Sequence, residues 1–320
     1  MNLTLQKPQA TAFALPSLIE RSGERATSRF VEFFTATIRN PNTRAAYAQA
    51  CTRFLDAMAA HNLSLERIEP VHVAIYVERL TQERAAPTVK QHLAAIRQLL
   101  DHLVTGQVLP FNPAASVKAP KHVTREGKTP ILQAAELRKL FASFDNDKLI
   151  DVRDRAMIAV MSYSFARVTA VTKLRVRDYY RQGAQAWFLL KEKGGRENKV
   201  PVHHQAAHYV ERYLELAGIA SQRESPLFRS VRGRTGVLTD SAMLRSNVFV
   251  MIRRRVLAVG LPIEIGCHSF RGSGITNYLS HGGSIETAAR IAGHASTSTT
   301  QLYDRRSDTV NQSEIERIRF

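Results

Sequence analysis

Two imidazoles, a guanidinium and a phenol follow one another near the C-terminal end of the chain: His268-Ser269-Phe270-Arg271, then Gly293-His294, then Tyr303. Upstream stand Arg167 and, in a glycine-containing turn, Lys193. A phosphodiester resists attack because its oxygens are already negative, and the transition state loads more charge on the nonbridging pair. Guanidinium groups present a planar fork of donors that stays charged, so Arg167 and Arg271 suit a pentacoordinate phosphorus. His268 can exchange a proton near neutral pH, and His294 can donate to a nonbridging oxygen. Tyr303 is the candidate nucleophile. A free phenol titrates at about pH 10, and nearby guanidinium charge with a histidine base favours its anion. Lys193, with Lys191 and Lys199 as rivals, can protonate the leaving 5′ oxygen. The product would be a phosphotyrosine that keeps the energy of the cut bond, so resealing would need neither ATP nor a metal. Taken singly, each residue has a plainer explanation: a packed tyrosine, a hydrogen-bonded histidine, a solvated arginine. Their weight comes from the set.

These side chains need a scaffold of some size. The chain has 320 residues, which favours two domains, and 44% hydrophobic content suits globular packing. The formal net charge of +17 and a pI of about 10.3 call for a polyanionic partner, nucleic acid or an anionic membrane surface. No apolar run approaches the roughly 18 residues of a spanning helix, and residues 1–24 lack the plan of a secretory signal. The two cysteines, Cys51 and Cys267, form no CxxC, which argues against a disulfide framework or a cysteine zinc site. The expectation is a cytoplasmic, DNA-acting protein with no cofactor, no metal and no membrane partner.

Residues 1–25 read as a loosely ordered arm. Over 26–115 the apolar period is helical. Phe30, Phe33, Phe34 and Ile38 share one face, and Asn40-Pro41-Asn42 breaks that helix, with Thr43 as candidate cap for the next. Tyr47, Cys51, Phe54, Leu55 and Met58 form a second stripe, a third helix covers 71–80, and a fourth covers 88–104 before Gly106 and the prolines Pro110 and Pro113. Residues 116–130 are basic and proline-containing, as in a linker. From 131 to 305 a mixed domain is expected, with helices at 134–144, 152–163, 204–217, 241–258, 270–280, 284–292 and 297–303. Short strands at 187–190 and 199–202 flank the turn Lys193-Gly194-Gly195-Arg196. If the helix carrying His268 starts early, His268 and Arg271 share a face. Residues 306–320 form a tail in which Ile315 and Ile318 offer a docking stripe. The fold class is mainly α with a small antiparallel β-sheet (α+β).

Taken together these motifs resemble the tyrosine recombinase (phage-integrase, Xer-like) family. The match runs through Ala166-Arg167-Val168, Lys193-Gly194-Gly195-Arg196-Glu197 with Val200-Pro201-Val202, His268-Ser269-Phe270-Arg271, and Ala292-Gly293-His294 through Thr299-Thr300-Gln301-Leu302-Tyr303. Asn42-Thr43-Arg44 through Ile96-Arg97 resembles that family's helical core-binding domain. The resemblance implies a site-specific recombinase with Arg167, Lys193, His268, Arg271, His294 and Tyr303 as its catalytic set. It implies two domains clamped on double-stranded DNA, a homo-tetramer joining two sites through a Holliday junction, and a tail docked on a neighbouring protomer. A partner recombinase or an accessory DNA-bending protein fits the same picture. Arg44, Lys90 and Arg97 are candidate DNA contacts of the helical domain. One departure stands out: many members carry an acidic residue three positions after the first arginine, where it would brace the site, and here that position is Ala170.

Three other readings compete. A type IB topoisomerase would use similar residues to relax DNA. A catalytically weakened, DNA-binding architectural protein would bind without covalent attachment. A metal-dependent hydrolase would use His268, His281 and His294, but no carboxylate accompanies them at ligand spacing.

Overall fold

The computed structural model describes residues 15–121, 127, 129–192, 195–233, 235–304 and 316. The chain divides into two compact units, Met1–Val123 and Thr124–Phe320. Lys193 and the tail stripe of Ile315 and Ile318 lie outside the described residues.

The first unit is helical. α1 (Ser17–Arg21) and α2 (Glu24–Glu32) lead into a π-helical turn at Phe33–Thr37, followed by α3 (Pro41–Ala60), α4 (Pro70–Glu83) and α5 (Ala86–Thr105). Asn40, not Thr43, caps α3: its side-chain oxygen accepts from the amides of Asn42 and Thr43 at 3.0 and 3.2 Å, and Pro41 takes the first helical position, where its missing N–H costs nothing. The stripe on α5 (Val89, Leu93, Ile96, Leu99, Leu100, Leu103) is fully buried. Phe34 stands edge-on to Phe30 and Phe33, with ring centroids 5.0 and 4.9 Å apart, a geometry the aromatic quadrupoles favour. Residues 17–21, expected in the arm, form α1 instead, because Leu18 and Ile19 find places in this core.

The second unit is mixed. α6 (Ala134–Ala142) precedes α7 (Leu149–Tyr163), which is buried continuously from Val152 to Ser162, and a short α8 (Val168–Thr172) follows. β1 (Tyr179–Gln182), β2 (Gln185–Lys191) and β3 (Glu197–Pro201) form an antiparallel sheet in sequence order, with Phe188 opposite Val200 and Lys191 opposite Glu197. Along β2, Ala186, Phe188 and Leu190 point inward, the period-two alternation of a half-buried strand. α9 (His204–Ala217) packs on α7. A second hairpin, β4 (Arg229–Val231) and β5 (Leu238–Ala242), leads to α10 (Arg245–Ala258), α11 (Cys267–Ser280), α12 (Ile285–Ile291) and α13 (Thr297–Gln301). β1 and the second hairpin have no counterpart in the sequence pattern: their residues are mostly polar or half-exposed and carry no apolar period.

An ion network joins α7 to α10. Asp154, fully buried, accepts from Arg153 at 2.6 Å and from Arg255 and Arg254 at 2.8 and 3.2 Å. α11 also reaches α7 closely. A Cβ at Gly274 would lie 2.0 Å from the Ser162 carbonyl oxygen, so only glycine permits this approach.

Candidate active site

Five of the six expected catalytic side chains belong to the described part of the second unit, and three elements of the fold bring them together. The first is the turn that links α7 to α8. Phe165 takes φ +53°, an uncommon left-handed conformation for a bulky residue, and its carbonyl accepts from the Arg271 guanidinium. Two residues on, Arg167 occupies the N-cap of α8.

The second element is α11. Its start at Cys267 meets the condition for His268 and Arg271 to share a face, and the Ser269 hydroxyl accepts from the Gly266 amide at 3.1 Å. Arg271 is 1% exposed. Its guanidinium donates to the carbonyl of Phe165, to that of Ala292 at 2.8 Å, and to Nε2 of His294. Backbone oxygens from two turns therefore fix its plane. Burial pulls its pKa down to about 10, the Arg167 charge adds to that, and Tyr303 and Glu192 oppose it. It remains charged at neutral pH.

The third is the turn that joins α12 to α13. Gly293 adopts φ +60°, and the His294 amide bonds back to the Ala289 carbonyl at 2.9 Å. Nδ1 of His294 lies 2.8 Å from the hydroxyl of fully buried Thr300. Because Arg271 has only donors, Nε2 must accept, and the proton sits on Nδ1. Burial first, then the charges of Arg271 and Arg167, push His294 down to about 4, so the ring is neutral at pH 7. His268, although exposed, is also pushed down, by partial desolvation and then by the charges of Arg271, Arg167 and Arg245.

Tyr303 follows α13. Its amide donates to Thr300 O at 2.9 Å, and its carbonyl accepts from the Thr276 hydroxyl at 2.6 Å. Its ring lies nearly parallel to that of His294, centroids 6.2 Å apart at 7°. The ring also passes over Gly272, where a Cβ would come within 3.1 Å of it. The phenol is thus held at both main-chain ends beside Arg271.

Two contributors escaped the sequence reading. Thr300 lay within a polar Thr-Thr pair with nothing to mark one member as buried. Glu192 lay in a charged hairpin tip, yet its side chain is 4% exposed and pairs with Arg167 at 2.6 Å. In the first unit, Lys90 is exposed. Arg44 donates from Nε to Ile38 O at 3.0 Å, and Arg97 donates to the carbonyls of Ala114 and Val117. Among the described residues no three His, Cys, Asp or Glu side chains gather as metal ligands, so His268, His281 and His294 do not form a ligand set. No described helix is long and apolar enough to cross a membrane.

Two arginines, two histidines and a tyrosine thus lie on a mainly α domain with a small antiparallel sheet, the residue types that a tyrosine recombinase site would need. Residues 130–309 match the phage integrase family, and residues 28–107 match the phage integrase N-terminal SAM-like domain. The chain belongs to the phage integrase family and is a tyrosine-type site-specific DNA recombinase. It is 28% identical over 268 residues to tyrosine recombinase XerD of Vibrio cholerae serotype O1, spanning 82% of this chain and 85% of that one. It is 28% identical over 218 residues to tyrosine recombinase XerC of Escherichia coli O127:H6, spanning 68% and 69%. Its fold is similar to that of XerH recombinase bound to difH substrate, with TM-score 0.66 and 17% identity over 94% of this chain and 95% of that one. The lambda integrase tetramer bound to a Holliday junction gives TM-score 0.67 and 16% identity over 89% and 79%.

Proposed function

We propose that this chain recombines double-stranded DNA at a specific site through a 3′-phosphotyrosine on Tyr303. The observation that carries this reading is the seating of Arg271: a buried, carbonyl-clamped guanidinium beside both His294 and Tyr303. Arg167 and Arg271 hold the nonbridging oxygens of the scissile phosphate. The Tyr303 oxygen attacks phosphorus with its proton passing to His268, the P–O5′ bond breaks, and Lys193 protonates the leaving oxygen. A 5′ hydroxyl of the partner duplex then attacks the phosphotyrosine and releases Tyr303. Bond count and charge balance without ATP, and arginine takes the place of a metal Lewis acid.

His294 has a second step to perform. In the free protein its Nε2 accepts from Arg271, whereas a phosphate oxygen needs a donor there. The negative phosphate favours a protonated ring. The Thr300 hydroxyl can donate or accept, so it tolerates either tautomer without rearrangement.

In this reading four protomers pair two sites through a Holliday junction, and residues 306–320 dock on a neighbour. A partner recombinase or a DNA-bending protein completes some assemblies, and the protein works in the cytoplasm. Lys90, with Arg44 and Arg97, contributes phosphate contacts from the first unit, so affinity falls steeply with salt.

The test is a suicide DNA substrate, nicked beside the cleavage point and recovered from a random-sequence library as covalent adduct. Wild type and Tyr303→Phe are compared on denaturing gels with EDTA present. Adduct in wild type alone is the expected result. Tight binding with no adduct favours an architectural protein, and adduct in Tyr303→Phe means another nucleophile. Joining of two duplexes, rather than relaxation of one, separates recombinase from topoisomerase.

A further inference from the structure

The position three residues after Arg167 holds the buried methyl group of Ala170, so no carboxylate reaches the site from α8. A carboxylate reaches it from elsewhere. Glu192, directly after β2, pairs through Oε2 with Nη1 of Arg167 at 2.6 Å. We infer that Glu192 is a positioning residue for the recombination reaction, holding the Arg167 guanidinium where it meets the scissile phosphate.

Three observations support this. First, exposure is unequal: the Glu192 side chain is 4% exposed and that of Arg167 is 35% exposed. The carboxylate is a fixed post, and the arginine keeps an open side for a ligand. Second, the post is built in. The Glu192 amide donates to Arg196 O at 2.8 Å, and Asn198 Nδ2 donates to Ile291 O at 2.9 Å, tying the hairpin to the end of α12. A Cβ at Gly293 would lie 3.3 Å from Glu192 Cγ, so the glycine before His294 leaves room for this side chain. Third, Glu192 Oε1 is buried with no hydrogen-bond partner among the described residues. A purely structural ion pair leaves few such acceptors unmade, because each costs its desolvation. The carboxylate also offsets the repulsion between the two guanidiniums that the phosphate will later neutralise. Arg167, otherwise a long and partly exposed side chain, is thereby oriented before DNA arrives.

This assignment rests on Tyr303 as nucleophile, and the experiment separates the two. Single-turnover adduct formation is measured on the suicide DNA recovered by wild type, together with DNA affinity and thermal melting, for wild type, Glu192→Gln and Glu192→Asp. Expected is a cleavage rate about 10- to 100-fold slower in Glu192→Gln, unchanged affinity and melting, and partial recovery in Glu192→Asp, which keeps the charge. A Glu192→Gln rate equal to or faster than wild type overturns the assignment, the faster rate showing that the carboxylate restrains Arg167. Affinity or melting lost in step with rate also overturns it, because the residue then only holds the hairpin. If wild type itself yields no adduct, the reading of Tyr303 fails and this assignment falls with it.

Discussion

Arg271 donates to Nε2 of His294, and this single contact sets the tautomer of the ring, because it forces the imidazole proton onto Nδ1 beside Thr300. The two residues come from different elements and meet only because the Gly293 turn folds back over α11. In the proposed reaction the histidine exchanges this bond for a phosphate oxygen, and the Thr300 hydroxyl, able to donate or accept, can pair with either tautomer.

Thr300→Val keeps the shape and removes the hydroxyl. His294 then has no acceptor at Nδ1 in one tautomer and no donor in the other. Cleavage by Thr300→Val is expected to slow about tenfold, with DNA affinity unchanged. Single-turnover rates beside filter-binding affinities test this, and an unchanged rate would remove Thr300 from the mechanism.

The low pKa of His294 makes stability depend on pH in a defined window. Its value falls from 6.5 to about 4 on folding, so the unfolded chain binds more protons between those limits. Stability should therefore be complete above the unfolded value and fall as pH drops from about 6.5 towards 4, by at most on the order of 3 kcal/mol. His294→Gln should flatten this part of the curve. Urea melts of both proteins across the window provide the comparison, and parallel curves would count against it.

Two glycines two positions apart on α11, Gly272 and Gly274, should behave differently. At Gly272 an added methyl meets the movable tip of Ile131 and the Tyr303 ring at 2.6 and 3.1 Å. Gly272→Ala should fold and bind DNA but shift Tyr303, the proposed nucleophile, by a few tenths of an ångström, slowing cleavage about tenfold or more. At Gly274 the methyl meets the Ser162 carbonyl oxygen at 2.0 Å, where only backbone can yield. Gly274→Ala should lower the melting temperature before it affects any rate. Melting curves and cleavage rates for the pair would show whether the two roles separate.

Asp154→Ala would leave Arg153, 3% exposed, with its buried charge uncompensated. A loss of about 3–5 kcal/mol is expected, seen as a drop in melting temperature on the order of 10 °C. A change within a degree or two would mean that solvent reaches the network readily.

Periodicity marked the helices whose apolar stripe is simple. The run from Val89 to Leu103 fell inside α5, and the His268-to-Arg271 spacing became one turn of α11. It failed where local chemistry was ambiguous. Asn40 and Thr43 are both good caps, and only the position of Pro41 at the first helical turn decides between them. Leu18 and Ile19 sit in a polar segment too short to show a period. β1 and the second hairpin expose polar residues and leave no alternation to read.

The sequence by itself determined the candidate reagents: two arginines, two histidines and a tyrosine in an order and spacing that match one family, on a chain with the charge to bind a polyanion. Residue type and short-range helical geometry carry that information. Which partner each reagent finds was decided only by tertiary structure. Glu192 meets Arg167 across 25 residues, and Arg271 meets the carbonyl of Phe165 across 106. Such contacts depend on how the turns pack, and no local rule links the positions. Burial then follows from the packing, and burial with fixed charge lowers the pKa of His294 and sets its tautomer.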